Sequence, residues 1–243
     1  MKLLFIRHGD PDYVTDSLTE KGVREAALLA KRMAKTHVDE CFVSPLGRAQ
    51  LTAKPCLEAM NMEAVTYDWL REFDPQIVRP DSPERTHICW DWLPQDWTVR
   101  DCFYDRDAWY DDDILKAGNI RENAEAVWKG LDDLLAAHGY ERDGRIYRAV
   151  RPNNDTLALF CHFGVTALML SHLFGASPMV LWHGMIAAPT SVTTVVTEER
   201  RQGIASFRMT SFGDIRHLAE AGEPASFSGR FCECFMNEDE RHD

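Results

Sequence analysis

Residues 3–9 read LLFIRHG and residues 157–164 read LALFCHFG, two apolar runs that each end in a histidine with a glycine close behind. Short, continuous apolar runs of this kind predict strands buried on both faces, as in a parallel sheet. A helical pattern follows each. After the first, Val23, Ala26, Ala27, Ala30, Met33 and Ala34 recur at helical spacing behind a cap at Thr19. After the second, Val165 to Phe174 reads as a helix. In open parallel sheets ligands collect beyond the carboxyl ends of the strands. If the two strands are neighbours, His8 and His162 share one crevice. A third run, ECFVSPLGRAQLTA from Glu40, predicts a strand over Cys41 to Val43 and then a helix, with Ser44 as its cap and Pro45 at its first position. Arg48 then falls in the first turn, again at a strand's carboxyl end. Alone, Arg7 and His8 are a chain leaving the core, and a lone histidine is more often structural. Together, Arg7, Arg48, His8 and His162 make a site for an oxyanion.

The remaining pattern continues the alternation. MEAVTYDWL, from Met62, is a third strand candidate. Asn119 and Glu122 have capping-box spacing ahead of a stripe formed by Ile120, Ala124, Val127, Leu131 and Leu134, which Gly139 closes. TSVTTVVTE and GIASFRMT are the last two strands. The expected fold is α/β, three-layer α/β/α with a mostly parallel central sheet and an inserted lid segment.

The lid is expected at residues 73–118, within a single domain spanning 1–243. From Glu72 to Gly118 there are twelve acidic residues against five Lys and Arg, together with Trp90, Trp92, Trp97 and Trp109. So long a connection is either functional or disordered, and four tryptophans argue against disorder. From about residue 230 the tail is expected to fray, and its Cys232-x-Cys234 pair lacks the further ligands of a zinc site.

The net charge of -12 over 243 residues disfavours nucleic acid and anionic membranes as partners. Seven scattered cysteines, an odd number, fit a reducing compartment. The apolar run before Arg7 is shorter than the core of a secretory signal, about 7–15 residues, and no run approaches the ~20 that span a bilayer. A cytoplasmic location is expected.

FIRHG near the start, SPLGRAQLTA some forty residues on, LREF after the third strand and CHFG before a helix resemble the histidine phosphatase superfamily. This is the phosphoglycerate mutase-like family, branch 1, and SLTEKGVREA is similar to its leucine-threonine-x-x-glycine segment. The resemblance covers most of 1–73 and 155–215. It implies a phosphomonoester hydrolase in which His8 attacks phosphorus as a neutral imidazole and becomes a transient phosphohistidine. Arg7, Arg48 and His162 would hold the phosphoryl oxygens, with no metal and no cofactor. Glu72 matches the family's acid position and would protonate the leaving oxygen, then activate water, with Asp74 as the rival acid. The other branch places its acid directly after the second histidine, where this chain has Phe163.

The chain also departs from the family. Asp10-Pro11 stands where Glu-Thr is common, and Val14 occupies the position of an asparagine that touches phosphate. Ser17 or Tyr13 is a candidate replacement donor, and Phe163 a further substrate contact. Gly9 is expected to let the backbone turn closely around the bound group. His37, His138 and His172 read as structural, and His183 as a residue of the crevice rim. The partner is a small phosphorylated substrate. An acidic lid favours a phosphatase acting on a monoester with an apolar or cationic body. Mutase-type phosphoryl transfer and a non-catalytic phosphate-binding module are the alternatives. A metal-dependent hydrolase would need ligand spacing that the nine histidines lack.

Overall fold

The structure is a computed structural model that describes residues 1–240. In chain order its strands are Lys2–Arg7 (β1), Pro11–Asp12 (β2), Ser17–Leu18 (β3), Glu40–Val43 (β4), Ala64–Thr66 (β5), Gln76–Arg79 (β6), Ser82–Ile88 (β7), Tyr140–Asp143 (β8), Ile146–Ala149 (β9), Thr156–Cys161 (β10), Val192–Arg201 (β11) and Ile204–Asp214 (β12). Its helices are Glu20–Met33 (α1), Gly47–Met60 (α2), Pro94–Trp97 (α3), Asp113–Ala117 (α4), Ile120–Ala137 (α5), Phe163–Phe174 (α6), Pro178–Gly184 (α7) and Arg216–Ala221 (α8).

Eight strands form one sheet in the order β5-β4-β10-β1-β11-β12-β9-β8. The half that carries the motifs, β5-β4-β10-β1, is parallel, and it continues through antiparallel pairs from β1 to β8. Arg7 pairs with Cys161 in the β1–β10 register, so the residues after each, His8 and His162, leave adjacent strands at the same level. The strands are apolar throughout because both faces are covered. Leu3, Phe5, Leu157 and Leu159 pack with Leu131 of α5 and Leu168 of α6. Leu4, Ile6, Ala158 and Phe160 face the other way, onto Leu29 and Met33 of α1 and Ala53 and Cys56 of α2. Each large side chain so buried contributes about 1.5–3 kcal/mol.

Thr19 caps α1 by accepting from the Gly22 N–H at 3.1 Å, as expected, and every member of the α5 stripe is buried. Two cap assignments change. Asn119 has φ +52° and makes no side-chain cap bond, because a capping side chain works from extended backbone. Helix α2 begins at Gly47 rather than Pro45, and the Ser44 hydroxyl accepts from the Leu46 N–H at 3.2 Å.

Residues 73–118 fold as the β6–β7 hairpin followed by α3, two single-turn 3-10 helices and α4. Trp92, Phe103, Trp109 and Leu115 are buried in the same cluster as Leu3 and Phe5, which makes the insertion continuous with the main core. The hairpin β8–β9, turning at Gly144-Arg145, and helices α7 and α8 are the remaining elements. The expected fraying falls partly on 241–243, outside the described residues. The segment just before residue 230 is tied down, as shown below.

Candidate active site

Three elements fix the backbone at the end of β1. The His8 N–H donates to the Cys161 carbonyl (3.0 Å), the Thr190 N–H donates to the His8 carbonyl (3.1 Å), and the Gly9 N–H donates to the Thr52 hydroxyl (2.9 Å). Gly9 is glycine for a different reason from the one expected. A β-carbon there would lie 2.8 Å from the Gly22 carbonyl oxygen of α1, and one on Gly22 would lie 2.2 Å from the Asp10 carbonyl oxygen. The pair lets α1 pack directly against the chain that leaves β1.

His8 is 2% exposed, and its Nδ1 lies 2.7 Å from the Gly9 carbonyl oxygen. A carbonyl only accepts, so Nδ1 carries the proton and Nε2 keeps a lone pair. Burial holds the His8 pKa well below its ordinary value, and the Arg7 and Arg48 charges push the same way. The His162 ring lies 5.1 Å away, centroid to centroid. Its Nε2 lies 2.8 Å from the Ser44 hydroxyl, while Nδ1 is buried with no hydrogen-bond partner among the described residues. Burial again lowers the pKa, reinforced by His8, Arg48, Arg7 and Arg71.

Arg7 and Arg48 are both buried. Arg7 Nη1 donates to the Ala187 carbonyl (2.5 Å) and the Ser228 carbonyl (3.3 Å). Arg48 Nη1 donates to Asp16 Oδ1 at 2.6 Å, and the same carboxylate accepts from the Gly47 N–H at 2.6 Å. In each arginine Nε is buried without a hydrogen-bond partner among the described residues. Four cationic or imidazole groups are thus held by neutral carbonyls, one hydroxyl and one carboxylate, which leaves the cluster short of negative charge.

Of the expected substrate contacts, Tyr13 lies beside the arginines: the Arg48 guanidinium is 5.4 Å from its ring centroid, and its phenol is close enough to Arg7 to interact with that charge. Ser17 does not. Its hydroxyl lies 2.8 Å from the Thr15 hydroxyl in the exposed β2–β3 hairpin, where Val14 also points to solvent. Phe163 packs edge-on against Trp90 at 6.0 Å.

Glu72 Oε1 accepts from the Phe73 and Val165 N–H groups, both at 2.9 Å, so its carboxylate sits at the start of α6 beside His162. Burial raises its pKa, and the hydrogen bonds from Val165 and Phe73 oppose the shift without cancelling it. Asp74 is exposed. Trp90 Nε1 donates to the Phe73 carbonyl at 2.6 Å, which brings the insertion to the acid. Gly164 makes this packing possible: a β-carbon there would lie 2.7 Å from Glu72 Oε1 and 2.8 Å from Trp90 Nε1.

The spacing of the motifs does not point to Asp16, Ser44, Thr52, Arg71, Trp90 or Gly164 as members of the site, although Ser44, Thr52, Arg71 and Gly164 lie inside the quoted stretches. The C-terminal segment is the least visible contributor. Glu223 pairs with Lys21 (3.0 Å), the Ser226 hydroxyl donates to Asp10, and Gly229 lies against the Arg7 guanidinium. Away from the site, His37 pairs with Asp39 and His172 with Asp132, and buried His138 packs edge-on against Phe42. His183 stacks on Trp97 at 4.7 Å with Nδ1 on the Met179 carbonyl.

A cluster of this kind, an unprotonated imidazole nitrogen among guanidinium groups with a half-buried carboxyl nearby, is equipped for phosphoryl transfer. The family model of the histidine phosphatase superfamily (branch 1) matches residues 3–210, and the chain belongs to that family as a phosphatase. It is 32% identical over 231 residues to phosphoserine phosphatase 1 of Hydrogenobacter thermophilus, covering 90% of this chain and 95% of that protein. Among solved structures it resembles a phosphoserine phosphatase mutant from Entamoeba histolytica in complex with phosphoserine. That match has a TM-score of 0.57 at 22% identity, covering 89% of this chain and 98% of the other. A mycobacterial glucosyl-3-phosphoglycerate phosphatase in complex with VO3 gives 0.53 at 18%, covering 87% and 98%. No helix among the described residues is long and apolar enough to cross a membrane.

Proposed function

We propose that this phosphatase hydrolyses small phosphomonoesters through a phosphohistidine on His8 Nε2. The observation that carries the reading is the His8 Nδ1 to Gly9 carbonyl bond, which leaves Nε2 as the unprotonated nitrogen of a neutral ring amid Arg7, Arg48 and His162. Nε2 attacks phosphorus as the bond to the ester oxygen breaks, and the Glu72 carboxyl gives its proton to that oxygen. Water then attacks the phosphohistidine while the Glu72 carboxylate takes a proton from it, and the P–N electron pair returns to Nε2. Arg7 and Arg48 present guanidinium donors to the phosphoryl oxygens. His162 Nδ1 is buried with no partner among the described residues, and we read the Ser44 hydroxyl as donating to His162 Nε2, which leaves Nδ1–H as the donor for phosphate.

The substrate class we favour carries an amino group beside the phosphate ester, as phosphoserine does. The relative of 32% identity supports it by name. So does the state of the insertion's arginines. Arg79 is engaged by Asp81 and Asp91, Arg100 by Asp112 while lying 5.0 Å over Trp92, and Arg85 by Ser82. The charge of Arg79 and Arg100 is spent inside an aspartate-rich segment, which suits a cationic body better than a polyanion. We read residues 73–118 as a cap on the pocket, and the seven unpaired cysteines as the mark of a cytoplasmic protein.

Hydrolysis of p-nitrophenyl phosphate in excess EDTA tests the chemistry. Turnover by the native protein that His8→Ala abolishes is expected, and equal turnover in both would overturn the choice of nucleophile. A kcat/KM higher for phosphoserine than for 3-phosphoglycerate is expected from the charge argument, and the reverse order would refute the substrate class.

A further inference from the structure

Packed on α1, α8 carries a buried histidine whose hydrogen bonds lead into the backbone of His8. The path can be assigned donor by donor. Arg32 of α1, held by Asp214, lies with Nη1 3.4 Å from His217 Nδ1. A guanidinium only donates, so His217 Nδ1 is the acceptor and Nε2 carries the proton. That Nε2 lies 3.1 Å from the Thr190 hydroxyl, which spends its own proton on the Pro189 carbonyl at 2.7 Å. The Thr190 N–H completes the path at the His8 carbonyl, 3.1 Å away.

Thr190 is the unusual link. It is fully buried and has φ +58°, a left-handed conformation in which a β-branched residue is an outlier. Such conformations persist where the surroundings over-determine them. Here the backbone conformation has a use. Ladder pairing between β1 and β11 ends at Ile6 and Val192, and the turn at Thr190 and Ser191 extends it by two residues. The Arg7 N–H donates to the Ser191 carbonyl at 3.1 Å, and the His8 carbonyl accepts from Thr190. The turn therefore clamps the two residues on which the phosphate chemistry rests.

We infer that His217 is a positioning residue for the reaction, holding Thr190 in its left-handed conformation so that the His8 imidazole stays aimed at phosphorus. The inference rests on the reading of His8 as nucleophile. Burial, helped by the Arg32 charge, lowers the His217 pKa to about 4, which keeps the ring in the neutral form the path requires. Asp214 opposes that shift and Arg216 neighbours it on the same side.

The test compares His217→Leu, His217→Gln and Thr190→Val on p-nitrophenyl phosphate, with His8→Ala alongside. A displacement of the nucleophile well under 1 Å predicts a kcat loss of about tenfold in His217→Leu with KM unchanged within about twofold. His217→Gln, whose amide N–H can replace Nε2–H, is expected to restore most of kcat. Thr190→Val keeps the shape but removes the hydroxyl, so it should match His217→Leu, and the double variant should be no worse than either single one. Full kcat in His217→Leu with only a lower Tm, or multiplied losses in the double variant, overturns the inference. If His217→Leu fails to fold, Thr190→Val decides alone: kcat within about twofold of native refutes the positioning role. Activity remaining in His8→Ala would instead refute the nucleophile.

Discussion

Gly164→Ala offers a direct test of how the acid is held. Gly164 lies in the first turn of α6 without a left-handed φ, so alanine suits its backbone and on helix propensity alone would stabilise by roughly 0.8–1 kcal/mol. The cost is steric. The new β-carbon would lie 2.7 Å from Glu72 Oε1 and 2.8 Å from Trp90 Nε1. Ordinary contact begins at 3.4 Å, so the carboxyl must retreat by about 0.7 Å. Its bonds to the Phe73 and Val165 N–H groups, 2.9 Å each, would stretch past useful length. A shift approaching 1 Å in a catalytic group costs up to about 100-fold in rate. The loss should depend on the leaving group. An alkyl phosphate needs the Glu72 proton to depart, whereas p-nitrophenolate leaves unaided. Steady-state kinetics of Gly164→Ala on phosphoserine and on p-nitrophenyl phosphate, with Tm measured in parallel, separate these effects. Equal losses on both substrates, or no loss on either, would refute the argument that the glycine exists to seat the acid.

Phosphorylation of His8 requires neutral His8 and protonated Glu72. Its rate should fall toward acid as His8 protonates below 6.5 and toward alkali as Glu72 ionises above 4.5. Glu72→Gln should remove the alkaline limb, lower kcat on phosphoserine by about 10²–10⁴-fold and, with p-nitrophenyl phosphate, let phosphohistidine accumulate, which rapid-quench measurements would detect; an unchanged pH profile would assign the limb to another group. Asp16→Asn takes the charged partner from Arg48 and frees the start of α2, so KM for substrate and Ki for inorganic phosphate should both change together, while an altered kcat alone would contradict a binding role. Truncation after Gly222 removes the Ser228 carbonyl from Arg7 and the Ser226 hydroxyl from Asp10, and inorganic phosphate inhibition measured against the full chain should weaken by about tenfold, about 1.5 kcal/mol for a lost hydrogen bond to a charged group; equal inhibition would show that the segment is a bystander.

Several parts of this protein could be read without coordinates because they are local. An apolar run predicts a strand through burial alone, and Leu3 to Ile6 and Leu157 to Phe160 are buried on opposite faces in alternation. Thr19 announces α1 because a hydroxyl reaches an N–H three residues on regardless of what packs nearby. Asn119 misled for the complementary reason: its backbone φ is set by the turn that precedes α5, and side-chain type does not encode that angle. Ser17 fell outside the site although Tyr13, four residues earlier, lies at the arginines, because the four-residue loop between paired Asp12 and Ser17 carries Tyr13 away from the short β2–β3 ladder.

The amino-acid sequence by itself determined the order of the motifs, the identity of His8, Arg7, Arg48, His162 and Glu72 as the groups to watch, and the acidity of the insertion. These follow from residue chemistry and short-range spacing. Tertiary structure alone decided the tautomer of His8, the carboxylate that restrains Arg48, the glycine that seats Glu72, and the path from Arg32 through His217 to the nucleophile. The partners of that path are separated by up to 185 residues along the chain. Hydrogen bonds act over about 3 Å, so which groups meet is settled only when the sheet and its helices have packed.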